Sequence, residues 1–166
     1  VSVIPDKQQI RDDLEGTRRA YHELLESLSE DDWRRRSGNP DFTVKALMWH
    51  MAWALGWLAR SIDRVRQAKG FNPPGFLVNP LRELAIRAYA LRATPERAAR
   101  RYDEGHAALL ARLDEVRDDE WSITVTQFGE PRTAEWYLRQ PIEHFAEHGA
   151  DVQTVLPTPT GGKAAE

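Results

Sequence analysis

His144 and His148 lie four residues apart in the stretch "PIEHFAEHGADV" (141–152). On an α-helix such a pair shares one face, with Cβ atoms about 5–6 Å apart, so both imidazoles can reach one ion. Neutral imidazole suits zinc, nickel, copper or iron. A pair alone is a common arrangement, and a third ligand decides what it means. His50, in "ALMWHMAWALGWLA" (46–59), follows Leu47 by three residues and precedes Ala54 by four, which puts it on an apolar helical stripe. His144 and His148 continue the line Tyr137, Pro141, His144, His148, Val152, Val155. All three therefore point towards one interior, where an imidazole needs polar partners. A shared ion satisfies them together. Three protein ligands also leave a fourth position open to water or substrate, the catalytic rather than the structural pattern. The competing reading is of core histidines, each satisfied by its own hydrogen bond.

The remaining candidates are weaker. His106 shares a helical face with Tyr102 and Leu109 and reads as a core histidine outside the ligand set. His22, beside Tyr21, reads as a surface residue. Glu147 is either an acceptor for an imidazole N–H or a solvated helix residue. Trp49, Trp53, Trp57, Trp136 and Tyr102 stand at helical spacings that suit either core packing or an apolar pocket beside the metal. A di-iron site is disfavoured, because it needs paired Glu-x-x-His helices. Cysteine is absent from the chain, so any thiol in its chemistry would come from outside.

Four helices must position these residues. Ile10, Leu14, Thr17, Tyr21, Leu24 and Leu28 mark the first, over roughly 6–30. Asp41 or Thr43 caps the second, which runs to about Ala68 with Leu47, Met51, Ala54, Leu58, Ile62 and Val65 as its stripe. The Gly- and Pro-rich "KGFNPPGFLVNP" (69–80) is a loop, and a shorter helical stretch follows over about 81–92. Thr94 as cap and Pro95 at the first helical position start the third helix. "SITVTQFGEPR" (122–132) reads as an extended connection with one short strand. The fourth helix begins near Thr133 and passes through both histidines to about Val155, with Pro141 expected to kink or restart it. These elements predict an all-α four-helix bundle with a long crossover between helices two and three. "LESLSEDDW" (25–33) and "RLDEVRDDEW" (112–121) also match, with apolar residues eight and five places before each Trp, a weak internal repeat.

At 166 residues the chain is expected to form one domain, 1–156, with a flexible tail at 157–166. Its longest apolar run is too short to span a bilayer, and "VSVIPDKQQIRDD" has no secretory pattern, which points to a cytoplasmic address. A formal net charge of −3 argues against a nucleic-acid partner, since phosphate binding needs a basic face.

Three stretches together carry a family resemblance: "FTVKALMWHMAW" (42–53), "ATPERAARRYDEGHAALLARLDEVRDDEW" (93–121) and "HFAEH" (144–148). In order and spacing they resemble the DinB-like superfamily of damage-inducible and YfiT-type metal proteins over about 6–153. Phe42 stands where that family usually has Trp, and Ala46 where it has an acidic residue. The resemblance implies a divalent-metal site on His50, His144 and His148, with zinc or nickel expected, and a homodimer. Glu147, Trp53, Trp57 and Tyr102 would then lie around the metal. It further implies a thiol-dependent transferase or isomerase that uses a low-molecular-weight thiol such as mycothiol on a small electrophilic molecule. The alternative is a non-catalytic metal- or ligand-binding stress-response protein. The abundance of Arg and Ala hints at a GC-rich, mycothiol-using lineage.

Overall fold

The computed structural model describes residues 4–70, 84–88 and 90–156. Among them four helices of 20 residues or more carry the fold: α1 (Lys7–Ser27), α3 (Val44–Arg66), α4 (Pro95–Glu115) and α5 (Ala134–Gln153). A one-turn helix, α2 (Glu30–Arg34), follows α1. Two three-residue strands, β1 (Val125–Gln127) and β2 (Glu130–Arg132), form an antiparallel hairpin before α5. Among the described residues the regular structure is helical apart from that hairpin. No helix among the described residues is long and apolar enough to cross a membrane.

Each helix starts where a side-chain oxygen can accept an otherwise orphaned backbone N–H. Asp6 caps α1, Thr43 caps α3, Thr94 caps α4 ahead of Pro95, and Thr133 caps α5. The two matching stretches fold alike. In each, an acidic residue just before a buried Trp is itself buried (Asp32 before Trp33, Glu120 before Trp121). Each carboxylate accepts the backbone N–H three residues back, from Ser29 at 3.1 Å and from Arg117 at 2.9 Å. Arg66 also donates to Glu120 at 2.9 Å. Burial alone would raise the Glu120 pKa, but the Arg117 N–H and the Arg66 guanidinium hold it below the usual carboxylate range. An antiparallel pairing then follows in each half, a single bridge at Arg36–Thr43 and the β1–β2 hairpin.

The helix directions follow from which residues meet. Asp63 pairs with Arg112 at 2.6 Å and Arg66 with Glu115 at 2.8 Å, so α3 and α4 run parallel. Parallel neighbours cannot be joined by a tight turn, which is why the long 67–94 connection lies between them. Arg18 reaches Asp103 at 2.7 Å and Lys7 reaches the Val116 carbonyl at 2.6 Å, so α1 and α4 are antiparallel. His50 meets His144, and Trp57 meets Tyr137, so α3 and α5 are antiparallel too. The helices α1 and α3 both pack on α4 and α5 and face each other across the core. The buried Tyr21 hydroxyl crosses that core to donate to the Met48 carbonyl at 2.9 Å.

Every apolar residue expected on the α3 stripe is buried, as are Tyr102, Leu109 and Leu113 on α4 and Val116 at its C-cap. Three expectations are modified. The first helix stops at Ser27 because Ser29 and Asp32 form a capping box that restarts the chain as α2. The extended connection holds two strands, with Phe128 and Gly129 supplying positive φ at the turn. The helix α5 runs through Pro141 without restarting, with the proline buried, and the Tyr137 carbonyl loses its helical N–H donor. The expected helical stretch after the loop is seen at 84–88 and 90, where Ile86 and Ala90 pack on Ala46. Most of the 69–80 loop and the 157–166 tail lie outside the described residues.

Candidate metal centre

His50 sits two turns into α3, and the antiparallel α5 carries His144 and His148 past it on successive turns. The three rings stand edge to face around a common point. Their centroids are 4.7 Å apart for His50–His144 and His144–His148, and 5.4 Å for His50–His148. His50 Nε2 and His144 Nε2 are 2.9 Å apart. Taking one ring nitrogen from each residue, all three fall within 4.8 Å of one another. With metal–nitrogen bonds of about 2.0–2.1 Å, tetrahedral ligand atoms lie about 3.3 Å apart. That value falls between the observed 2.9 Å pair and the 4.8 Å limit, so small side-chain rotations suffice to fit one ion. An imidazole–imidazole hydrogen bond would account for His50 and His144 only and leaves His148 unexplained.

All three histidines are half-buried. His148 Nδ1 is buried, forms no hydrogen bond and lies 3.5 Å from Asp151 Oδ2. Glu147 is exposed on the same helix. The carboxylate that faces His148 is therefore Asp151, a residue the sequence analysis does not single out. The signal was available, since Asp151 follows His148 by three residues, a spacing that shares a helix face. Beneath His144 lies a cavity of about 10 Å³, lined by Met51, Leu55, Leu58, Tyr102, Pro141 and Phe145 among others. It is the size of a single water site. Tyr102 thus approaches the cluster from α4 while stacking on Tyr21 with ring centroids 3.9 Å apart. Trp57 packs edge to face on Tyr137, two turns along α3 from His50. Trp53 is half-exposed on the same helix. Trp49 and Trp136 pack against the core margin.

The two other histidines lie between α1 and α4. His22 Nε2 is 2.8 Å from Asp103 Oδ1, which also accepts from Arg18. His106 is 5% exposed, with Nε2 3.8 Å from Glu15 Oε1. Burial is the main cause that lowers its pKa, opposed by the Glu15 carboxylate. A histidine whose pKa falls on folding is neutral in the native state, while the unfolded chain takes up a proton below about 6.5. Its contribution is therefore complete above that value and is lost as pH falls below it. His106→Gln is expected to keep the wild-type metal stoichiometry and to flatten the loss of stability between pH 7 and 5. Metal analysis and urea titrations across that range check both. Metal loss equal to that of His148→Ala would place His106 in the ligand shell.

The observations so far define an all-α protein with a three-imidazole cluster shared by two antiparallel helices. The chain belongs to the family of the mycothiol maleylpyruvate isomerase N-terminal domain, which matches residues 14–153. Among solved structures it is similar to the crystal structure of the mycothiol-dependent maleylpyruvate isomerase. The TM-score is 0.73 at 15% identity, over 95% of this chain and 68% of that one. A histidine-to-alanine mutant of that isomerase gives a TM-score of 0.72 at 16% identity over the same shares. Likeness at this identity is likeness of fold. No curated protein matches the chain.

Proposed function

We propose that this protein is a DinB-like four-helix bundle that holds a divalent ion, zinc or nickel, on His50, His144 and His148. With it the protein acts as a thiol-dependent isomerase-like enzyme on a small electrophilic molecule. The observation that carries this reading is the convergence of three half-buried imidazoles from α3 and α5 on one point. Membership of the family named above supports mycothiol as the thiol and favours isomerisation over group transfer. Held by His50, His144 and His148, the ion would supply Lewis acidity, which lowers the pKa of a thiol brought to it. The chain contributes the rest. Its imidazoles would fix the position of the ion, and apolar Met51, Leu55, Leu58 and Phe145 line the space beneath His144, which lowers the local dielectric and strengthens electrostatic interactions there. Having no cysteine, the chain itself offers no competing thiol. The homodimer and the cytoplasmic address belong to the same proposal.

The test is a thiol panel of mycothiol, bacillithiol and glutathione against metal-loaded and metal-depleted protein. Calorimetry measures binding, and turnover is followed with maleylpyruvate and with a generic electrophile. Mycothiol is expected to bind only the metal-loaded form and to support turnover. Equal binding to both forms, or none across the panel, would overturn the thiol reading. Metal-dependent thiol binding without turnover of either compound would favour the non-catalytic binding protein.

A further inference from the structure

The sequence offers two carboxylates near His148, and the fold selects the less obvious one. Asp151 lies one turn beyond His148 on α5, with Oδ2 3.5 Å from His148 Nδ1. Two bonds anchor its own backbone: the Asp151 carbonyl accepts the Gly38 N–H at 2.8 Å and the Thr154 hydroxyl at 2.8 Å. Gly38 belongs to the loop between α2 and α3. A Cβ there would meet Thr154 Oγ1 at 3.0 Å and the Asp151 carbonyl at 3.2 Å, so glycine permits this close approach. The same loop is tied to the start of α3: Arg36 bridges to Thr43, and Ser37 N–H donates to the Phe42 carbonyl at 3.2 Å. Thr43 caps the helix that carries His50. One short loop therefore keys the end of α3 that bears His50 to the end of α5 that bears His148.

We infer that Asp151, locked by Gly38, is a positioning residue that holds His148 as its Nδ1–H tautomer and turns its Nε2 towards His50 and His144. This rests on the metal reading proposed above. The physical reason is that the two imidazole nitrogens are not independent. A neutral ring carries one proton, and an acceptor beside Nδ1 keeps that proton there, leaving the Nε2 lone pair for an ion. His50 and His144 already face each other through Nε2, so the three ligand atoms become three Nε2 nitrogens. At 3.5 Å the Asp151–His148 contact is longer than a formed hydrogen bond. An ion on Nε2 would make Nδ1–H a stronger donor, so the contact is expected to shorten when the site is loaded.

Two readouts test this on the full chain at pH 8, above the ordinary imidazole range. Nitrogen-15 NMR reports the tautomer of His148 in the metal-free protein, and competition with a chromophoric chelator reports the zinc affinity. In the wild type His148 is expected as the Nδ1–H form. Asp151→Ala is expected to shift His148 to a mixture with the Nε2–H form and to weaken zinc binding about 10- to 100-fold. Asp151→Asn, whose amide oxygen still accepts, is expected to keep the tautomer and lose less affinity. Gly38→Ala is expected to act in the same direction as Asp151→Ala but more weakly, while leaving helical circular dichroism unchanged. A wild-type His148 in the Nε2–H form would overturn the inference, as would an Asp151→Ala variant with unchanged tautomer and zinc affinity within twofold. The metal reading fails separately, if the wild type takes up no ion, and the tautomer readout still decides the role of Asp151.

Discussion

Alanine at His50, at His144 or at His148 is expected to lower divalent-metal affinity by more than about 100-fold, beyond what loss of an outer-shell partner costs. Each variant then purifies without metal under conditions where the tag-free wild type retains close to one ion per chain. The size follows from the geometry. Three imidazoles converge within 4.8 Å, no other His, Cys, Asp or Glu among the described residues joins them in such a group, and two remaining nitrogens cannot close the site. The second signature is thermal. An ion that binds only the folded state adds about 2.7 kcal/mol at one hundred times its Kd. For a chain of this size that is a rise in Tm of about 5–10 °C, expected for the wild type and absent from the three variants. Elemental analysis and calorimetric melts with and without zinc provide the check. Equal metal content in all four proteins would remove the metal centre from this fold.

The second large effect concerns the packing that sets the site, and it separates two glycines by sign. Gly105 lies on α4 where it crosses α3. A Cβ there would stand 2.6 Å from Leu55 Cβ and 3.2 Å from the Gly56 backbone nitrogen. Neither atom can swing aside, since both are fixed to the α3 backbone. Gly105→Ala must push the two parallel helices apart, and is expected to cost about 1–3 kcal/mol net of any gain in helix propensity. Leu55 and Tyr102 also line the cavity under His144, so zinc affinity should fall with stability. Gly16, in the middle of α1, is the matched control: its nearest neighbour would be the far end of Arg19 at 3.9 Å. Gly16→Ala is expected to stabilise the protein by up to about 1 kcal/mol through lower unfolded-state entropy. Urea denaturation of both variants measures the two signs. A Gly105→Ala variant as stable as the wild type would mean that α3 and α4 do not pack this closely.

Much of this was legible in the chain, because it depends on neighbours in sequence. The caps at Thr43, Thr94 and Thr133 are set by residues within one turn, as is the buried stripe from Leu47 to Val65. The inward direction of His50, His144 and His148 follows from helical phase alone. The restart at Ser29 was equally local but was hidden by an apolar spacing that continues through Leu28. Phe128, a poor residue for positive φ, masked the turn that makes a hairpin of the 122–132 connection.

What no local rule could decide was which surfaces meet. Helical phase already favours Asp151 over Glu147, since a residue three places on from His148 shares its face and the adjacent residue does not. What the tertiary structure adds is the docking of the Gly38 loop, which anchors the Asp151 backbone at the end of α5, while Glu147 stays exposed. Phase likewise makes His106 as inward-facing as His50, but α4 turns it towards α1 and Glu15, on the other side of the core. The sequence by itself determined the helices, their buried faces and the identity of three histidines able to share an ion, since these follow from spacing along one chain. The tertiary structure alone decided that α3 and α4 run parallel and that α5 lies antiparallel to α3. Those directions depend on contacts between residues far apart in sequence, and they put His50 within 2.9 Å of His144.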